Sequence, residues 1–94
     1  MKKYELMIIL KPLLPQDIRQ KTEDKIKEIL KEADGQILSS DVWGKKHLAY
    51  PINKHEDGYY IVYKVELDES QMEMVEKEMH IITEILRYMF VIEE

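Results

Sequence analysis

The spacing of apolar positions changes several times along the chain, and each change marks an element. Lys3 to Leu10 is nearly continuous in bulky apolar residues, the pattern of a central strand covered on at least one face. Pro12 and Pro15 close it. From Gln16 to Ala33 the apolar groups fall at Ile18, Ile26, Ile29, Leu30 and Ala33, the stripe of a surface helix, with five acids and five bases mostly on its other side. Gly35 follows as the expected left-handed stop. Gln36 to about Ile52 reads as a long or interrupted strand. Gly44 is its candidate bulge, and Pro51 marks it as an edge, because proline cannot donate to a ladder on both sides. Asn53 to Gly58 reads as a hairpin connection, and Tyr59 to Leu67 as a strand dominated by Tyr, Ile and Val. Asp68 caps a second helix, with Gln71 three residues on as a capping-box partner and Met72, Val75 and Met79 on one face. Ile85 to Ile92 is the last strand.

This strand, helix, strand, strand, helix, strand order, with a right-handed crossover in each half, predicts one α+β domain over residues 1–94. The expected architecture is a ferredoxin-like βαββαβ sandwich: a four-stranded antiparallel sheet with both helices on one face and the other face open. The period of two along each strand then sorts side chains. Leu6, Ile8, Leu10, Ile61, Tyr63, Val65, Tyr88 and Phe90 point to the helices, and Glu5, Met7, Ile9, Tyr60, Val62, Lys64, Arg87, Met89 and Val91 to the open face. A face meant only for water alternates to polar residues. Met7, Ile9, Tyr60, Val62, Met89 and Val91 break that alternation on adjacent strands, which marks them as the candidate surface for a protein partner. Scattered surface apolar residues that need no partner are the plainer reading.

Composition narrows the class. At 94 residues, 45% apolar and 35% charged, the chain fits one ordinary globular domain. It has no apolar run of membrane-spanning length, and its start passes straight into a strand-like pattern, so a cytoplasmic location without membrane contact is expected. Without cysteine it can form neither a disulfide nor a thiolate metal site. The net charge of −5 argues against nucleic acid until its distribution is considered. Asp68, Glu69, Glu73, Glu76, Glu78 and Glu84 against Lys77 place the acidity in the second helix region. Val42 to His55 carries Lys45, Lys46 and Lys54 with no acid, and the first eleven residues add Lys2, Lys3 and Lys11 against Glu5. Local sign governs phosphate contact more than the total does.

The stretch from Trp43 to Lys54 combines paired lysines, an aromatic on either side (Trp43 and Tyr50) and a further lysine at the hairpin, a mixture suited to phosphate attraction and base stacking. A solvated edge strand whose lysines discourage sheet-to-sheet aggregation has the same composition, and composition alone favours it. With Gly58-Tyr59-Tyr60, however, the run Trp43-Gly44-Lys45-Lys46-His47-Leu48-Ala49-Tyr50-Pro51-Ile52 closely resembles the signature segment of the bacterial small-subunit ribosomal protein six family. The opening Tyr4-Glu5-Leu6-Met7-Ile8-Ile9-Leu10-Lys11-Pro12 and the closing Ile85-Leu86-Arg87-Tyr88-Met89 are similar to that family's ends, so the resemblance covers essentially the whole chain.

The resemblance implies a ribosome-associated, non-enzymatic protein of the small subunit's platform, without cofactor or small-molecule substrate. Such a protein is expected to bind the central domain of 16S ribosomal RNA together with small-subunit ribosomal protein eighteen. Carried onto this sequence, the expected RNA-contacting positions are Lys2, Lys3, Lys45, Lys46, Lys54 and Arg87 as phosphate partners, with Tyr50 as a stacking group or a structural anchor. In the expected topology Lys2 and Lys3 lie at the opposite end of the sheet from Lys54, so either the RNA wraps or one group is idle. Two departures from the family pattern stand out. His80-Ile81-Ile82-Thr83-Glu84 is unusually apolar, which predicts a longer helix or a buried Ile82, and the sequence stops at Glu94 where many relatives carry a tail.

Other classes fit less well. His47, His55 and His80 lack zinc-site spacing, and Gly35, Gly44 and Gly58 are isolated rather than a phosphate loop. An acyl-phosphate hydrolase of the same fold needs an arginine and an amide converging on a phosphate, for which no motif is present. A stand-alone single-stranded RNA reader needs aromatics on both central strands, and the first strand offers Met7 and Ile9 there. An oligomeric ferredoxin-like module would use the same apolar face for self-association.

Overall fold

On the first strand every second side chain is withdrawn from water: Tyr4, Leu6, Ile8 and Leu10 are buried. The third strand repeats this with Ile61, Tyr63, Val65 and Leu67. An alternation of this kind fixes which face of a sheet carries the main core. The computed structural model describes residues 2–52 and 54–93, with residues 49–51 described by backbone alone. Its elements are β1 (Lys2–Leu10), α1 (Gln16–Glu32), β2 (Gln36–Ile52), β3 (His55–Leu67), α2 (Met72–Ile81) and β4 (Ile85–Ile92). The four strands form one antiparallel sheet in the order β2-β3-β1-β4.

Ile26, Ile29 and Leu30 from α1, Ala33 just past its end, and Val75 and Met79 from α2 join the strand residues in a single core cluster. Both helices therefore cover the same face, and the ferredoxin-like arrangement follows. Tyr88 and Phe90 of β4 pack on this core from the predicted side, with Phe90 edge-on to Tyr4 at 6.0 Å. Burial of each large apolar side chain contributes about 1.5–3 kcal/mol, and this cluster is where that stabilisation concentrates. Ile82 is buried immediately beyond α2, which accounts for the apolar run there.

Local chemistry departs from the sequence expectation at several element ends. The gap in the α1 stripe between Ile18 and Ile26 is filled by Thr22, which is buried because its hydroxyl donates to the Ile18 carbonyl at 2.8 Å. The left-handed residue that ends α1 is Asp34, at φ 58°, not Gly35. Asp34 N–H donates to Lys31 O at 3.0 Å and Gly35 N–H to Leu30 O at 2.9 Å, which completes a Schellman motif one residue earlier than predicted. Aspartate is among the few non-glycine residues that tolerate that conformation. Asp68 does act as a cap, but its carboxylate accepts from the Ser70 N–H and hydroxyl, both at 2.9 Å, over a single 3-10 turn, Glu69–Gln71. These bonds hold the Asp68 carboxyl below its usual pKa. Gln71 is itself the residue that precedes α2 and makes no side-chain cap bond, so the predicted reciprocal box does not form.

The largest departure is at the hairpin. β3 begins at His55, four residues before the predicted Tyr59, and pairs there with β2: Ile52 faces His55, His47 faces Asp57 and Lys46 faces Gly58. Lys54 sits in the turn at φ 68°, and Asn53 lies outside the described residues. Because Leu10, the last residue of β1, faces Tyr59, the pairs beyond it form a two-stranded ribbon projecting past the four-stranded body. Apart from Leu48 and Gly58, which are buried at its base, the described residues of the ribbon meet water and have no apolar requirement, so polar residues that read as a loop extend the strand. β2 is the predicted edge, and its register breaks at Ile37/Ser39, Val42/Gly44 and His47/Ile52. Gly44, at φ 81°, supplies the backbone conformation that the second break requires.

Candidate functional site

Cross-strand register arranges the open face in rows. Nearest the ribbon, Trp43 and Gly44 of β2 lie level with Tyr60, Ile9 and Arg87. The next row is Asp41, Val62, Met7 and Met89, and the one after it Ser39, Lys64, Glu5 and Val91. At the far end stand Gln36, Glu66 and Lys3, with Glu93 N–H bonded to Lys3 O at 2.9 Å. The face thus grades from aromatic and apolar at the ribbon end to charged at the other.

All six apolar residues expected on this face are on it, yet two of them are not available at the surface. Ile9 is 8% and Val62 6% exposed, outside the main core cluster but buried. Close packing at Gly58 explains the burial of Ile9: a Cβ there would fall 2.4 Å from Ile9 Cγ2 and 3.3 Å from Leu48 Cδ2. Leu48, also buried, folds the ribbon back toward that point. Trp43 lies parallel to Tyr60, with ring centroids 6.3 Å apart and planes 11° apart. This second, smaller buried set seats the ribbon on the body. Met7 and Tyr60 remain half-buried, while Met89 and Val91 on β4 are exposed. Met7, Ile9, Tyr60, Arg87, Tyr88 and Met89 line a shallow depression of ≈ 210 Å³.

The basic residues do not converge. Lys45 faces Tyr59 and so points to the helix side, whereas Lys46 shares the open face and places its ammonium 5.2 Å from the Trp43 ring centre. The lysine pair thus straddles the ribbon's base, and Lys54 stands exposed at its tip. Among the described residues no carboxylate lies within 4.0 Å of these three ammonium groups. Lys2 and Lys3 are placed otherwise, with the full 13-residue length of β3 separating their end from the ribbon's. Lys2 pairs with Glu69 at 3.0 Å, which raises its pKa, and Lys3 is flanked across the strands by Glu66 and Glu93. They do not form one compact site with Lys54. Arg87 is exposed on the open face beside the depression. The side chain of Tyr50 lies outside the described residues.

Sequence reasoning missed one cation. Arg19 of α1 sits over the Tyr59 ring at 4.3 Å, and Tyr59 faces Lys45, so a second positive group joins the helix side of the ribbon's base. Arg19 belongs to a charge-balanced helix, and only tertiary packing brings it there. His47 meets Asp57 at 3.1 Å across the ribbon. Among the described residues no group of three or more His, Asp or Glu is placed to hold a metal ion, and no helix is long and apolar enough to cross a membrane.

Residues 3–92, nearly the whole of this fold, match the family model for ribosomal protein S6. The chain belongs to the ribosomal protein S6 family. Members of this family are structural, non-enzymatic proteins of the small ribosomal subunit. The chain is 39% identical over 88 residues to small ribosomal subunit protein bS6 of Prochlorococcus marinus, covering 94% of this chain and 51% of that protein, so it spans about half of that relative's length. It is 31% identical over 91 residues to bS6 of Fusobacterium nucleatum, with 97% of each covered. The crystal structure of 30S ribosomal protein S6 from Thermotoga maritima superposes with a TM-score of 0.92 at 27% identity, covering 98% of this chain and 87% of that one. The S6 signature segment recognised in the sequence is therefore the stretch that builds the β2 side of the ribbon.

Proposed function

We propose that this S6-family chain binds the central domain of 16S ribosomal RNA through its ribbon, while small-subunit ribosomal protein eighteen covers the open sheet face. Lys45, Lys46 and Lys54 neutralise phosphates on both sides and at the tip of the ribbon, and Arg19 and Arg87 extend the positive surface on the helix side and the open side. The observation that carries this reading is the contrast in lysine surroundings. Among the described residues the ribbon's lysines have no carboxylate within 4.0 Å, whereas Lys2 is paired with Glu69, and Lys3, though without such a pair, has Glu66 and Glu93 as its neighbours across the sheet. A paired cation has little counterion to release on meeting a phosphate, and carboxylates flanking Lys3 across the strands disfavour a phosphate there, so Lys2 and Lys3 contribute little. Protein contact falls to Met7, Tyr60, Met89 and Val91, with Ile9 and Val62 supporting them from beneath.

Salt dependence tests the reading. Assembly onto ribosomal RNA, measured with the protein partner present, is compared for Lys45→Ala/Lys46→Ala/Lys54→Ala and for Lys2→Ala/Lys3→Ala. The triple variant is expected to flatten the plot of log affinity against log salt by up to about one unit per lost phosphate contact, and the double variant to leave the slope in place. A triple variant with the parent's slope removes the ribbon from the RNA site. Recovery of the chain with small subunits after a high-salt wash tests the assembly itself.

A further inference from the structure

We propose that β4 is a self-docking edge, along which a second copy of this chain pairs antiparallel about Phe90 to continue the sheet across two protomers. This inference goes beyond the ribosomal role and stands on the strand's own geometry.

β4 borders the sheet and is bonded on one side only, to β1. Its register runs without a break from Ile92 facing Tyr4 to Arg87 facing Ile9. Natural edges are commonly blunted by proline, lysine, bulges or brevity. β4 has neither proline nor lysine, its one irregularity lies at its beginning, and Met89, Val91 and Ile92 are 45–54% exposed.

The direction of its backbone groups follows from one bond. Glu93 N–H donates inward to Lys3 O, so by the alternation of an antiparallel ladder Val91, Met89 and Arg87 also turn their peptide groups toward β1. The N–H and C=O groups of Tyr88, Phe90 and Ile92 consequently face outward. A two-fold pairing of identical strands must match outward groups with outward groups, which restricts its centre to a residue position. With the centre at Phe90, Phe90 faces its own copy and Tyr88 faces Ile92 in hydrogen-bonded pairs. The intervening non-hydrogen-bonded pairs, where side chains come closest, are then Met89 with Val91 and Arg87 with Glu93, all on the open face. Shifting the centre to Met89 sets Arg87 against Val91, and shifting it to Val91 sets Glu93 against Met89. Only the Phe90 register joins opposite charges, and the two-fold repeats that pair twice. Within one protomer Glu93 meets Lys64 at 3.9 Å in an exposed position, a contact too weak to hold it from a closer partner. A second copy therefore pairs the outward peptide groups, covers the exposed apolar residues and sets opposite charges level with one another in a single register. Because Arg87 is also a candidate phosphate contact, the pairing belongs to the protein off the ribosome.

Sedimentation equilibrium of the full chain between about 1 and 200 μM tests the proposal, since small interfaces of this kind associate weakly. A reversible dimer is expected with Kd on the order of tens of micromolar. Arg87→Glu sets like charges opposite each other twice and should weaken the dimer about tenfold or more, and adding Glu93→Arg should restore it. Ile92→Pro removes an outward N–H while sparing the inner ladder, so it should abolish the dimer. Its circular dichroism should match the parent's. A chain that stays monomeric at the highest concentration overturns the proposal. So does a charge swap without rescue, or a dimer that survives Ile92→Pro.

Discussion

β2 and β4 both run along an edge of the same sheet, yet β2 takes 17 residues with its register broken in three places, whereas β4 takes 8 and keeps its register over most of its length. Each break in β2 re-aims side chains. The one at Val42/Gly44 brings Trp43 level with Tyr60 and shifts the alternation beyond it, so that Lys46 rather than Lys45 shares the open face with Trp43. An edge so interrupted cannot template another strand, but it can present cations in several directions along a phosphate chain. β4 has the reverse properties: a regular ladder of outward peptide groups and exposed apolar residues on both its faces. The difference teaches that exposure alone does not say what an edge binds. Its regularity does.

The same apolar face behaves differently beneath the two edges, and glutamate substitution separates them most strongly. Val62→Glu places a carboxylate in the buried set below β2 and is expected to cost about 2–4 kcal/mol in urea unfolding. Met89→Glu, in the same row but exposed on β4, is expected to cost under about 1 kcal/mol. Equal costs would mean that the ribbon does not close over the face. The next effect in size is at the ribbon's seat. Gly58→Ala drives a methyl group against Ile9 Cγ2, a branch carried directly on the Cβ and poorly able to move, so a loss of about 1–3 kcal/mol is expected. A variant as stable as the parent would show that the ribbon shifts freely on the body.

Strand phase was legible in the sequence because Leu6, Ile8, Leu10, Ile61, Tyr63 and Val65 combine a period of two with bulky apolar chemistry, and the core requires that pattern locally. The S6 signature was legible for a different reason, as a run of residue types rather than as geometry. What escaped depends on neighbours remote in sequence. His55 to Gly58 looked like a loop because a solvated ribbon carries no apolar signal, and only its pairing with Lys46 and His47 makes it a strand. Ile9 and Val62 read as surface because alternation says which face a residue occupies, not whether a distant Leu48 or Trp43 returns to that face. Lys2 and Lys3 looked equivalent to Lys45 and Lys46 until register placed Glu66 and Glu93 beside Lys3 and an ion pair tied Lys2 to Glu69. Charge along a chain is readable from its sequence; charge across a sheet requires the register.

The smallest expected effect tests how β2 divides its two lysines. The chain has a single tryptophan, so its fluorescence reports on Trp43 alone. The indole is held by the parallel ring of Tyr60, by a hydrogen bond from its Nε1–H to Asp41 at 3.1 Å and by the Lys46 ammonium 5.2 Å from the ring centre. An exposed cation over an indole contributes about 0.5–1 kcal/mol, so Lys46→Ala should lower stability by no more than that. It also removes a positive charge from the indole's environment, so the emission maximum should move. Lys45→Ala takes away the same charge one residue earlier, but from the helix side, level with Tyr59 and near Arg19. Its emission should therefore match the parent's. If instead Lys45→Ala moves the emission and Lys46→Ala does not, it is Lys45 that shares the indole's face, as residues two apart do in an unbroken strand, and β2 is then continuous like β4.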